Sequence, residues 1–217
     1  MVHQSLDILS RELILLTSST IIEHVDVLRK AGLASLAFFY CDFREEEKTG
    51  LRGLLSSLLA QLGHQSDPYC EMLYKFCSEH AERLRPSDDE LVECLKDLLS
   101  LPGQALVYLI VDALDECPNS YAIPSPRAKV LNLIEELIEL QFPNLRICVT
   151  SRPEADIKDV VDRIIPRHIS LHDEVGQRYD IDSYIKSAIY THPKCRKWKT
   201  EDKEMAIRVL VFRHNGM

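Results

Sequence analysis

One stretch of this sequence limits the possible folds more than any other: the segment from Ala105 to Cys117, A-L-V-Y-L-I-V-D-A-L-D-E-C. Its V-Y-L-I-V core carries no charge, which predicts a short strand buried on both faces, as in a parallel sheet. Asp112, Asp115 and Glu116 follow this strand directly. Parallel strands deliver the residues that follow them to the carboxyl edge of the sheet, where open α/β folds bind ligands. These acids are therefore candidate site residues.

The order of these residues matches a Walker B pattern. In such a site Asp112 holds Mg²⁺ through its waters, and Glu116 or Asp115 polarises the attacking water. The alternative is an acidic turn after a strand, helped by Pro118 and Asn119. Four apolar residues and a single Asp would favour the turn, but the complete V-D-A-L-D-E-C string favours Walker B.

Uncharged runs and amphipathic spacing predict alternating strands and helices along the chain. Such alternation indicates a parallel sheet covered on both faces. The predicted strands are Leu36 to Tyr40, Val107 to Val111, Arg146 to Thr150 and His168 to Leu171. The predicted helices are Ser18 to Arg29, Thr49 to Leu62, Tyr69 to Leu84, Ser87 to Leu101, Arg127 to Leu140, Pro153 to Arg163, Val175 to Tyr190 and Glu201 to His214.

Composition limits the classes of partner. The formal net charge of −8 gives no overall attraction to nucleic acid or to an anionic membrane. No apolar run approaches the roughly 20 residues that span a bilayer. The seven cysteines include no C-x-x-C pair, which favours reduced thiols in the cytosol over disulfides or a metal site. We therefore expect a soluble cytoplasmic protein that binds neither nucleic acid nor membrane.

Three segments together resemble a NACHT domain of the signal-transduction (STAND) P-loop NTPases. They are D-A-L-D-E-C, the run F-F-Y-C-D-F-R-E-E-E-K-T from Phe38 to Thr49, and V-T-S-R-P-E from Val149 to Glu154. They are most similar to the nephrocystin-like N-terminal group found in fungal NOD-like, repeat-associated proteins. The resemblance implies a three-layer P-loop NTPase-like α/β fold, ATP with Mg²⁺ as ligands, and protein partners or self-association.

The resemblance also implies a role for the strand that ends in T-S-R-P-E. In the family, this position senses the γ-phosphate, and the matching residue here is Arg152, with Thr150 beside it. A guanidinium there pairs bidentately with phosphate oxygens. The alternative is that Arg152 caps a strand end or pairs with Asp112 or Glu116.

The phosphate-binding loop expected of this family is missing. Such a loop needs a glycine-rich turn, a Lys and a Ser or Thr, but the first glycine in this chain is Gly32. Where the family has G-K-S or G-K-T, this chain reads E-L-I-L from Glu12. The first strand of the fold is likewise missing or replaced: the segment Glu12 to Thr17 either stands in as a short strand or extends the following helix.

These observations lead to a domain division and to competing hypotheses. We expect residues 1–17 to be a divergent N-terminal segment, residues 18–172 a NACHT-like α/β core, and residues 173–217 the start of a truncated helical appendage. The first hypothesis is a degenerate NACHT module that acts in signalling or interaction, with no ATP turnover. The rival is an authentic ATP-binding switch whose Walker A loop is absent through an incomplete gene model. A third reading is an unrelated α/β enzyme that uses Asp112 and Asp115 on a small substrate.

Overall fold

The computed structural model describes residues 18–45, 49–80, 85–120, 123–164, 175–192, 195 and 197–214. These residues belong to two compact units, one within residues 18–164 and one within residues 175–214. The predicted strand from His168 to Leu171 and the segment from Glu12 to Thr17 lie outside the described residues.

The first unit is built on a parallel sheet. Its described strands are β1 (Ala34–Tyr40), β2 (Leu106–Asp112) and β3 (Leu145–Val149), in the spatial order β1-β2-β3. Both strand pairs are parallel, with Tyr40 opposite Asp112 and Val111 opposite Val149. The three predicted strands in the described region are confirmed, and β2 ends on Asp112, as the Walker B reading requires.

The helices of this unit follow the predicted amphipathic segments within a few residues. Helix α3 ends at Glu79, earlier than the predicted Leu84, and residues 81–84 are outside the described part. The helices are α1 (18–30), α2 (Leu51–Gly63), α3 (Asp67–Glu79), α4 (Asp88–Leu99), α5 (Pro126–Glu139) and α6 (Ala155–Ile164), with a 3₁₀ turn at Leu114–Glu116.

Helices cover the sheet on both sides. The larger core joins one face of all three strands to residues of α2, α4, α5 and α6, and it includes the fully buried Leu58, Leu95 and Val107. On the opposite face, Val25 of α1 packs with Leu36 of β1 and Ile110 of β2. These layers confirm the predicted three-layer α/β fold.

Among the described residues, the edge of β1 that faces away from β2 is paired by two glutamine side chains, Gln61 of α2 and Gln65 in the turn that follows α2. The amide of Gln65 accepts from the Leu36 N–H at 2.8 Å and donates to the Leu36 carbonyl at 2.5 Å. Gln61 makes the same two contacts with Phe38, at 3.1 and 2.7 Å. Two glutamines four residues apart therefore satisfy the N–H and carbonyl groups of alternate residues on the edge strand. Unpaired, these groups would be a template for association with another strand.

The described part of the second unit forms two helices, α7 (Val175–Thr191) and α8 (Thr200–His214). Both were predicted from sequence. Ile185 and Ile189 of α7 are buried, and the Lys203 ammonium lies 5.3 Å from the centre of the Tyr190 ring. None of the helices in the described ranges has the length and apolar character needed to cross a bilayer.

Candidate functional site

Asp112 lies at the carboxyl end of the central strand and is 1% exposed. Its Oδ1 accepts hydrogen bonds from the hydroxyls of Ser18 and Thr150. Ser18 is fully buried at the start of the described part of α1, and Thr150 directly follows β3. The carboxylate thus joins three separate elements of the fold at one edge of the sheet.

The backbone after Asp112 turns sharply to carry the other two acids. Ala113 has φ of 54°, in the left-handed region that favours glycine, and its N–H donates to Thr150 Oγ1 at 3.0 Å. The N–H of Leu114 donates to the Thr150 carbonyl at 3.0 Å. Thr150 therefore fixes both the carboxylate and the turn, and the 3₁₀ segment that follows carries Asp115 and Glu116.

Asp115 and Arg152 form an ion pair. Arg152 Nε lies 3.5 Å from Asp115 Oδ2, and the Arg152 N–H donates to Asp115 Oδ1 at 3.0 Å. The Asp115 side chain is 9% exposed, whereas that of Arg152 is 50% exposed. The sequence-based alternative expected Arg152 to pair with Asp112 or Glu116. Its partner is Asp115 instead, because the turn at Ala113 places Asp115 against the backbone of Arg152.

A buried arginine is hydrogen-bonded to the backbone of the acidic turn, the 3₁₀ segment that carries Asp115 and Glu116. Arg127, near the start of α5, is 7% exposed. Its guanidinium donates to the carbonyls of Asp115 at 2.6 Å and Cys117 at 2.9 Å, and it contacts both carboxylate oxygens of Asp156 at 3.2 Å. A planar fork with five donors can satisfy all of these acceptors at once, so Arg127 fixes the turn relative to α5 and α6.

The negative charge of Asp112 shifts the pKa of a side chain on each neighbouring strand. Burial, followed by the charge of Asp112, raises the pKa of Tyr40 on β1 and that of Cys148 on β3. Within the described ranges, the nearby cations have other partners: Arg152 pairs with Asp115, and Arg127 pairs with Asp156. A buried carboxylate without a cationic partner is costly, which makes this edge of the sheet attractive to a cation.

The residues present fit a Mg²⁺ ion that keeps most of its water. Asp112 Oδ2 is buried and has no hydrogen-bond partner among the residues that the structure describes, and the Ser18 hydroxyl lies against the same carboxylate. No group of three or more His, Cys, Asp or Glu side chains in the described ranges could hold a metal ion. Mg²⁺ commonly binds through one or two carboxylates together with substrate phosphates, so a single Asp suffices for such a site.

An apolar depression elsewhere on the first unit does not coincide with these acids. Its lining is predominantly apolar, and it lies along α1 and the neighbouring strand, so its chemistry differs from that of the acidic edge. It is lined by Thr20, Ile21, His24, Val25, Leu28 and Tyr108. The hydrogen-bonded geometry around Asp112, rather than surface concavity, therefore defines the candidate site.

The structure adds two residues that sequence reasoning missed. Ser18 is the first residue of the S-S-T run at the start of the predicted helix from Ser18 to Arg29, and that run was the available signal. Nothing in the sequence indicated a structural role for Arg127, because a charged residue in the first turn of a helix is usually solvated. The structure brings four of the predicted site residues together at one edge of the sheet: Asp112, Asp115, Thr150 and Arg152. It assigns no catalytic role to any of them.

Part of the chain matches a known protein family. A family model described as nephrocystin 3, N-terminal matches residues 16–152, more than half of the chain. The match runs from just before Ser18 to Arg152, so it contains every residue of the candidate site. No curated protein and no solved structure matches. The chain therefore belongs to the nephrocystin 3 N-terminal family, a NACHT-associated family.

Proposed function

We propose that this chain is a degenerate NACHT module of the STAND class that acts in signalling or interaction without ATP turnover. The carrying observation is the ion pair between Asp115 and Arg152. In this pair, a candidate water-polarising acid and the candidate phosphate-sensing cation neutralise each other. The buried carboxylate of Asp112, held by Ser18 and Thr150, serves as a joint between α1, β2 and β3.

The sequence before α1 supports the same proposal. No glycine precedes Gly32, so the segment cannot form the glycine nest of a phosphate-binding loop. Hydrogen bonds to charged groups contribute roughly 1.5 to 3 kcal/mol each. Since about 1.4 kcal/mol corresponds to tenfold in affinity, losing several such bonds weakens nucleotide binding by orders of magnitude.

The second candidate function is an ATP-binding switch, and one observation favours it. The orphaned Asp112 Oδ2 beside the Ser18 hydroxyl is suited to Mg²⁺. In that case Asp112 and Ser18 hold the metal, Glu116 and Asp115 orient water, and Arg152 with Thr150 contacts the γ-phosphate. A bound nucleotide would then have to break the Asp115–Arg152 pair. An upstream G-x-x-x-x-G-K-[ST] coding sequence would favour this switch.

The proposal extends to partners and location. As a member of the fungal NOD-like, repeat-associated group, the module acts in the cytoplasm through protein partners or through self-association. The net charge of −8 disfavours nucleic acid and anionic membranes as partners. In a module without turnover, association does not depend on nucleotide.

ATP hydrolysis by the purified chain tests the proposal. We expect Mg²⁺-dependent turnover at background, unchanged by Glu116→Gln and by the control Glu71→Gln on the exposed surface of α3. Sedimentation measurements should give the same assembly state with and without Mg²⁺-ATP. Turnover that Glu116→Gln abolishes and Glu71→Gln preserves, or assembly that requires ATP, would overturn the proposal in favour of the switch.

A further inference from the structure

The outward side of α3 carries an exposed stripe of three side chains. Cys70, Tyr74 and Cys77 are all exposed, and Tyr74 is 76% exposed. Because successive residues of an α-helix are about 100° apart, the spacing of four and three residues places these side chains within about 60° of one another. The opposite side of α3 packs Tyr69 and Phe76 against the larger core. The stripe is therefore the side of α3 that a partner can reach.

A carboxylate and an ammonium lie on one flank of this stripe. Glu71 and Lys75 are exposed and four residues apart, so they share a side of the helix. Within the helix, Lys75 Nζ lies 3.9 Å from Glu79 Oε1, and the two side chains are 78% and 58% exposed. Such an exposed pair is worth little, so Lys75 can also bind a carboxylate of a partner. Together, the stripe and its flanking charges form the α3 face, which consists of Cys70, Glu71, Tyr74, Lys75 and Cys77.

We propose that the α3 face binds the α3 face of a second copy of this chain. The two helices are antiparallel, and a two-fold axis passes midway between Cys70 and Cys77. Cys70 then lies level with Cys77 of the second copy, since both are equally far from the axis. Glu71 lies within about 1.5 Å of the level of Lys75 of the second copy, so their charged groups can meet. The two-fold axis repeats both contacts.

The charges of the α3 face favour this antiparallel arrangement. In a parallel pair, Glu71 would meet Glu71 of the second copy and Lys75 would meet Lys75, and like charges at one level repel. In the antiparallel pair, two contacts between Glu71 and Lys75 replace those repulsions. The face is thus complementary to itself, which identifies a second copy as its occupant. This dimer rests on the proposed function, which includes self-association, and adds the surface through which the copies meet.

The size of the contact predicts a weak dimer. Helix α3 has 13 residues and is about 20 Å long. Two such helices bury less than the roughly 800 Å² per partner of a standard stable interface. We therefore expect a dissociation constant of about 10 to 100 μM, so that the protein is a monomer when dilute and a dimer when concentrated.

Sedimentation of the full chain without nucleotide, from below to above that concentration range, measures the association. Glu71→Lys and Lys75→Glu each place like charges opposite one another and should weaken the dimer about tenfold. The double variant exchanges the two signs, which recreates both contacts, and should restore the wild-type dissociation constant. Lys158→Glu, the same change on the exposed surface of α6, should leave the dissociation constant unaltered.

Cysteine cross-linking measures the direction of the two helices. Facing positions on helices packed about 8 to 10 Å apart have Cα atoms about 5 to 6 Å apart, within reach of a disulfide. Two Cys70 residues would be offset by a further ~10 Å along the helix axis, beyond that reach. Mild oxidation with diamide of an equal mixture of Cys70→Ser and Cys77→Ser chains should give a Cys77–Cys70 link, which peptide mass spectrometry maps and dithiothreitol reverses. Neither variant alone should form a link through α3.

A chain that stays monomeric at every concentration would overturn this dimer. So would a dimer that the single charge reversals leave unchanged, or a double variant as weak as the single ones. Links between two Cys70 or two Cys77 residues that form faster than the mixed link would show parallel helices and overturn the antiparallel contact. None of these results bears on ATP turnover or on its dependence on Glu116, which decide the proposed function separately.

Discussion

The hydroxyl of Ser18 donates a hydrogen bond to the carboxylate of Asp112, which lies 94 residues later in the chain. Both residues are buried, so the bond is shielded from water and from salt. It locks the start of α1 to the carboxyl end of β2, and Thr150 brings β3 to the same oxygen. Asp112 is thus a structural link between α1, β2 and β3 in this chain.

The joint predicts coupled losses of stability. Ser18→Ala removes one donor and should lower the free energy of unfolding by about 1 to 2 kcal/mol. Asp112→Ala leaves the buried hydroxyl of Ser18 and the half-buried hydroxyl of Thr150 without their acceptor and should cost about 2 to 3 kcal/mol. Chemical denaturation of both single variants and the double variant measures the coupling, expected near 1 kcal/mol.

A matched control separates this coupling from a general effect of Ser→Ala. Ser56→Ala lies on the exposed face of α2 and should change stability by less than about 0.5 kcal/mol. Strictly additive losses for Ser18→Ala and Asp112→Ala would contradict the joint. Asp112→Asn, which keeps an acceptor oxygen for both hydroxyls, should be milder than Asp112→Ala.

The glutamine pairing of the β1 edge gives a second prediction. Gln65→Met leaves the Leu36 N–H and carbonyl without their partners and should cost about 1 to 3 kcal/mol, and Gln61→Met should act similarly on Phe38. The double variant should also aggregate more readily, because the edge is then open to another strand. Unfolding and light scattering measure the two effects; wild-type behaviour in both would contradict this account of the edge.

The left-handed turn after β2 gives a third prediction. Ala113 has φ of 54°, where an L-residue with a Cβ is strained and glycine is not. Ala113→Gly should therefore raise stability by about 1 kcal/mol, whereas the β-branched Ala113→Val should lower it. Gln141, with φ of 51°, is a second left-handed site away from the acids, so Gln141→Gly should give a similar gain. Destabilisation by Ala113→Gly would contradict this view of the turn.

The capping box of α4 predicts a pH dependence. Backbone and side-chain hydrogen bonds from Ser87, with a smaller effect of His80, lower the pKa of Glu90. A lowered pKa gives stability that is present above the unfolded value, near 4.3, and is lost as pH falls through the folded value. The stability difference between wild type and Glu90→Gln should shrink between about pH 7 and about pH 3. A difference that stays constant over that range would contradict it.

The fold could be predicted from the sequence because its signals are local and repeated. Uncharged runs such as V-Y-L-I-V place the strands, and amphipathic spacing places the helices within a few residues. The capping box that begins α4 is a local feature too, because Ser87 and Glu90 lie three positions apart in the sequence. Each of these features depends only on residues that are close together in the sequence, so a single sequence is enough to predict it.

The site could be predicted only in part because its contacts are distant in sequence. The motif singled out Asp112, Asp115, Thr150 and Arg152, but the pairing of Arg152 with Asp115 depends on the left-handed turn at Ala113. Position 113 holds Ala, not Gly, so no residue at this position indicated a turn with positive φ. Likewise, the hydrogen bonds from Arg127 to the carbonyls of Asp115 and Cys117 arise only when α5 packs against the turn that follows β2.

Nucleotide binding by the purified chain of 217 residues tests the central claim most directly. A fluorescent ATP analogue is titrated into wild type and Asp112→Asn, with Mg²⁺ present and absent. We predict a Kd of about 1 mM or weaker in every case, since the groups that position phosphates are missing. A Kd near 1 μM that requires Mg²⁺ and is lost in Asp112→Asn would contradict the account and establish a working nucleotide site.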